Sequence, residues 1–117
     1  MADDAARFLP LSSAVLHILV ALAGRELHGY GIMRDVLEQS DGRYRLGPGT
    51  LYANLQKLSE QGLVLELGRR AGESDSRRLY YRLTGLGRRV LSAEIERLES
   101  LVREARLRIP TAKPRRV

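Results

Sequence analysis

Cysteine and tryptophan are both missing from this chain, and Phe8 is its only phenylalanine. Without cysteine there is no disulfide and no thiolate metal site, a composition that fits a reducing cytoplasm. Long apolar runs are missing as well. The longest, Ala14 to Ala23, is broken by His17 and is far too short to span a bilayer, so no membrane association is expected. The first residues carry Asp3 and Asp4 in place of a basic cluster, and no secretory signal is expected. Catalytic chemistry is scarce. His17 falls in an apolar segment and His28 at a helix start, and neither has a cysteine or neighbouring histidine as partner. Glu94, Glu96, Glu99 and Glu104 share one helical segment with arginines and read as a salt-bridged surface. No nucleophile motif, phosphate loop or metal-ligand spacing occurs, so neither an enzyme nor a cofactor is expected.

What is present is positive charge in a particular place. The 117 residues, 44% of them hydrophobic, suffice for one domain with a modest core. The net charge of +6 divides into −2 over residues 1–40, +3 over 41–83 and +5 over 84–117. Attraction to phosphates is the commonest use of such a balance. The basic excess begins in the segment that contains the stretch from Gly47 to Gly62. There Pro48 sits where a helix can start without losing a needed donor, and Leu51, Leu55 and Leu58 recur at helical spacing. Gly62 stops it as a left-handed C-terminal cap would. The opposite face holds Thr50, Ala53, Gln56 and Lys57, with Tyr52 on a border. A helix over about 48–61 with one packing edge and a small, polar, cationic outer face suits a DNA major groove. Gln56 can offer a bidentate amide to adenine, Lys57 can donate to guanine or a phosphate, and Ala53 leaves room for a thymine methyl. The Tyr52 ring can pack while its hydroxyl reaches a phosphate.

The flanking segments place that helix in a fold. Residues 1–10 read as loosely ordered up to Pro10. Ser12 or Ser13 caps a first helix to about Ala23, closed by Gly24, and its apolar side chains cover almost the whole circumference. Leu16 and Leu19 are therefore expected to meet a second chain. Leu27-His-Gly-Tyr-Gly-Ile32 opens a second helix with an inner stripe of Ile32, Met33, Val36 and Leu37, ended by the turn Asp41-Gly42. Tyr44-Arg-Leu46 is at most a minor strand. Leu63, Leu65 and Leu67 alternate with Val64 and Glu66, and Leu79, Tyr81 and Leu83 with Tyr80 and Arg82. These form a hairpin over about 63–83 whose tip holds Arg69, Arg70, Arg77 and Arg78, placed for phosphate contact. Thr84 caps a last helix to about Ile109, before Pro110. In it Leu91, Leu98 and Ala105 repeat every seven residues, with Ile95, Val102 and Ile109 offset by four. That seam predicts a dimerisation helix. The expected fold class is mainly α with a small β-wing: a winged helix-turn-helix over 1–83, a dimerisation helix over 84–109 and a basic tail over 110–117.

Leu27-His-Gly-Tyr-Gly-Ile32, Gly47-Pro-Gly-Thr-Leu-Tyr52, Leu58-Ser-Glu-Gln-Gly-Leu63, Arg78-Leu-Tyr-Tyr-Arg-Leu-Thr84 and the following Gly87 resemble, in this order, the PadR family of bacterial transcriptional regulators. The resemblance spans roughly residues 10 to 92. The hairpin tip departs from it, since Gly72-Glu-Ser-Asp-Ser-Arg77 lacks the Pro or Gly pair often found before the basic residues. The resemblance implies a homodimeric winged-helix repressor with a single C-terminal dimerisation helix, bound to an inverted repeat in a promoter. It places Thr50 and Tyr52 at the start of the recognition helix. It also implies a flat hydrophobic or phenolic effector near the dimer interface, for which this sequence, with no tryptophan and Phe8 as its one phenylalanine, offers few stacking rings. The competing reading is a winged-helix protein-interaction module without specific DNA binding. The basic helix face together with the arginine hairpin favours double-stranded DNA as the partner. Another winged-helix family such as MarR fits less well, because its dimer helices flank the domain differently.

Overall fold

Ser12 begins the first long helix by satisfying one of its orphan amides: its Oγ accepts from the Val15 amide at 3.2 Å. The computed structural model describes residues 4–68 and 79–110. Helix α1 (Ser13–Gly24) is followed by a two-residue strand β1 (Leu27–His28), α2 (Gly29–Gln39), α3 (Pro48–Glu60), β2 (Val64–Leu67), β3 (Tyr80–Leu83) and α4 (Gly85–Arg108). The strands form one antiparallel sheet in the order β1-β3-β2. This is a winged helix-turn-helix followed by one long helix. Helix α1 lies at its centre, packing on α2, α3, α4 and β3. Its fully buried Ile18 and Leu19 join Ile32 and Val36 of α2, Leu51 and Leu55 of α3, and Val90 of α4 in one core.

Turn chemistry fixes how α3 hands over to the sheet and to α4. Gly47 and Pro48 start α3, and Gly62 takes φ +80° after it. The Gly62 amide donates to the Ser59 carbonyl at 3.1 Å and the Leu63 amide to the Leu58 carbonyl at 2.9 Å. This paired C-terminal cap needs a left-handed residue, which glycine adopts at least cost. Thr84 ties the same turn to α4. Its hydroxyl donates to the Gly62 carbonyl at 2.6 Å and accepts from the Gly87 amide at 3.0 Å, while its own amide donates to the Leu63 carbonyl at 3.1 Å. A side chain on Gly87 would overlap that Leu63 carbonyl, so glycine lets α4 approach this closely.

Several segments differ from the sequence expectations. Residues 4–9 are not loose: Asp4–Phe8 forms a 3-10 turn packed on α4, with Ala5 fully buried. Gly24 is the last residue of α1 and not a left-handed cap; the chain leaves through Arg25 in extended conformation. Leu27 and His28 do not open α2. They pair with Tyr81 and Tyr80 of β3, and His28 then caps α2 by accepting the Gly31 amide on Nδ1 at 3.1 Å. The stretch from Tyr44 to Leu46 is not a strand. Leu46 is buried, and the Tyr44 ring stacks on His17 at 4.5 Å. In the wing, Leu63 is taken up by the α3 cap, and strand β2 starts one residue later. Val64 faces inward opposite Leu83 while Leu65 is exposed.

Candidate nucleic-acid interface

Helix α3 presents two unlike faces. Leu51, Leu55 and Leu58 are buried, and Thr50, Ala53, Gln56 and Lys57 are all exposed. Two polar side chains beside that face are held by their own helix. Asn54 donates its amide to the Thr50 carbonyl at 2.9 Å, and Gln56 donates weakly to Glu60 at 3.4 Å. Gln56 is thus loosely tethered and free to re-aim, a property useful for contacting a base edge. Glu60, one turn beyond, is exposed and puts an acid at the C-terminal end of this face.

Tyr52 sits differently from its expectation. Its half-exposed ring turns its hydroxyl onto Gly29 at the start of α2, where any Cβ would overlap it and would lie 2.7 Å from the ring carbon bearing it. The hydroxyl therefore faces the protein, leaving the ring edge for outside contact. Tyr81 lies close by. Burial first, then the Glu66 carboxylate and Tyr52, raise its phenol above the ordinary value of 10.0, so it stays neutral. Both histidines are structural joints: His28 is the α2 cap, and His17 Nδ1 lies 2.7 Å from Gln39 Oε1, linking α1 to α2. Among the described residues no group of three or more His, Asp or Glu is arranged to hold a metal. No described helix is long and apolar enough to cross a membrane. Arg69, Arg70, Arg77 and Arg78 lie outside the described residues. Strands β2 and β3, which lead into and out of that segment, pair along Val64↔Leu83 to Leu67↔Tyr80.

The residues expected to meet a second chain divide in two. Leu19 and Leu91 are buried in the chain's own core and have no surface to offer a partner, which corrects that part of the expected interface. Leu16, Leu98 and Ala105 are half-buried, and Ile95, Val102 and Ile109 are 43%, 46% and 65% exposed. The division follows from length. The last buried side chain of α4 is Glu94, and the helix continues to Arg108, beyond anything the domain covers. Glu94 itself is no surface residue. It is 1% exposed, accepts the Leu11 amide at 3.0 Å, and takes two bonds from Arg97 at 2.6 and 3.0 Å. The Arg97 bonds, helped by the Leu11 amide and against the effect of burial, lower its carboxyl below the ordinary 4.5. Phe8, the one phenylalanine, carries the Arg7 guanidinium over it at 4.6 Å.

Sequence reading missed a basic cleft of about 310 Å³ where α2 meets the start of α3. Its walls include Tyr30, Met33 and Arg34 of α2 and Arg45 to Pro48 of the connection. Its sequence trace is slight: Arg45 stands two residues before Gly47, but Arg34 comes from a separate element.

The model of the transcriptional regulator PadR-like family matches residues 15–93. A Mycobacterium tuberculosis protein, transcriptional regulator Rv3488, is 37% identical over 89 residues, covering 76% of this chain and 78% of that one. Among solved structures, a transcriptional regulator from Clostridium thermocellum superposes with a TM-score of 0.70 at 22% identity, over 95% of this chain and 99% of the other. Bacillus subtilis PadR, solved in complex with operator DNA, superposes with a TM-score of 0.64 at 20% identity, over 82% of this chain and 61% of that one. The family match covers α1 to the first turns of α4, the segments that build the winged helix-turn-helix. The chain belongs to the PadR-like family of transcriptional regulators, whose members are not enzymes.

Proposed function

We propose that the protein is a homodimeric cytoplasmic repressor that binds an inverted repeat in a promoter through α3 of each subunit. The observation that carries this reading is the division of α3: its leucines are buried, while Thr50, Ala53, Gln56 and Lys57 stand together in solvent. A helix so placed enters a major groove about 12 Å wide with its hydrogen-bonding side chains toward the base edges. Bacillus subtilis PadR, whose fold the chain shares, was solved on operator DNA, which supports the same partner here. Arg69, Arg70, Arg77 and Arg78 of the wing supply sequence-independent phosphate contacts in this reading. Two copies join through Ile95, Leu98, Val102, Ala105 and Ile109 of α4, with Leu16 of α1 at the edge. A twofold dimer of this kind matches a palindromic site. A flat hydrophobic or phenolic effector near that interface is the releasing signal.

Footprinting on the DNA upstream of the protein's own coding region tests the proposal, repeated with phenolic compounds. The expected result is a protected inverted repeat that phenolic compounds weaken. Uniform, salt-sensitive binding with no protected site would favour the protein-interaction module instead.

A further inference from the structure

Resting on the proposed DNA binding, we propose that Arg34 and Arg45 form a phosphate clamp that seats the DNA backbone beside the first turn of α3. The two arginines come from separate elements, α2 and the connection to α3, and both are exposed. They line the same cleft as Gly47 and Pro48, the residues that begin α3. The Arg34 guanidinium lies over the Tyr30 ring, 5.9 Å from its centroid. This exposed contact is weak and leaves the positive charge unneutralised. Neither arginine makes an ion pair or hydrogen bond among the described residues. The nearby acids are turned elsewhere or left out of the cleft: Asp35 accepts from Gln39, and Glu38 is absent from the cleft lining.

The position selects the occupant. When α3 lies in a major groove, the sugar-phosphate backbones run along both groove edges, and the preceding helix crosses one of them. Two cations flanking the start of α3 then face phosphates and not bases. Guanidinium groups suit this task because their planar fork bonds two phosphate oxygens at once. The clamp therefore sets register and affinity but not sequence preference.

The test uses the full chain and its Arg34→Ala/Arg45→Ala and Arg34→Lys/Arg45→Lys variants. Each is titrated by fluorescence anisotropy onto a mixed-sequence duplex and onto the footprinted promoter duplex, across a series of salt concentrations. Circular dichroism confirms that each variant is folded. For the alanine pair, affinity should fall by a similar factor on both duplexes, and the salt slope should shrink by roughly two units per subunit, about 0.9 for each lost phosphate. The lysine pair should keep most of the slope. An alanine pair with unchanged slope, while the unaltered protein binds both duplexes, overturns the clamp and leaves the DNA reading standing. A loss confined to the promoter duplex also overturns it, since the arginines would then read bases. Failure of the unaltered protein to bind either duplex removes the DNA reading and the clamp with it.

Discussion

Glu94 is the residue whose environment departs furthest from its sequence context. Arginines and glutamates surround it in the sequence at surface-like spacing, yet it lies beneath the N-terminal segment and accepts the Leu11 amide. Nothing in helical periodicity reveals which acid a distant segment will cover, so it could not be read in advance. Because its carboxyl is lowered by Arg97 and the Leu11 amide, its contribution is present above the unfolded value near 4.5 and is lost as pH falls through the folded value. Glu94→Gln should destabilise the protein at neutral pH by about 1.5 kcal/mol, the low end for bonds to a charged group because Arg97 stays 40% exposed. Thermal melts should show this gap closing as the pH drops below the ordinary carboxylate range; a gap constant with pH would contradict the assignment. Gly29 was half legible. Glycine is a poor helix former, and the structure supplies the reason for it here: the Tyr52 ring and hydroxyl fill the space a Cβ would take. Gly29→Ala should lower stability by about 1–3 kcal/mol through overpacking, measured by denaturant unfolding. Shortening Tyr52 to Ala in the same chain should make the added methyl nearly neutral.

Elements were more legible than single residues where their signals were local. Pro48 and Gly62 bracket α3, Thr84 caps α4, and Asp41 and Gly42 take the positive φ expected of a turn. Strand β1 was not legible, because two residues carry no periodicity and their pairing to β3 is a long-range contact. The 3-10 turn at Asp4–Phe8 was missed for the same reason, since its order comes from α4 and not from its own pattern. The shift of register in β2 follows from the α3 cap, a case of turn chemistry overriding apparent alternation. The heptad seam of α4 was visible, but which of its residues stay at home was not: Leu91 serves the domain, and Ile95 onward is left exposed. Ile95→Asp with Val102→Asp should therefore give a folded monomer, with the helical circular dichroism of the domain kept. Light scattering that finds the unaltered protein monomeric at micromolar concentration would refute the dimer.

At the scale of the whole molecule, one core positions three surfaces: the outer face of α3, the cleft at its start and the free end of α4. The core residues were mostly readable, since burial follows helical spacing. The cleft was not, because it joins residues from two elements whose meeting the sequence does not encode locally. All three surfaces serve the claim that α3 reads DNA. The measurement that tests it most directly is selection from randomised duplexes, comparing the unaltered protein with Gln56→Ala. The unaltered protein should select a palindromic site. The variant should relax one base pair in each half-site by about 1–3 kcal/mol while preferences elsewhere persist. An identical selected sequence for both proteins, with preference undiminished at every position, would contradict the assignment of Gln56 to a base edge and move sequence reading to the wing or to DNA shape.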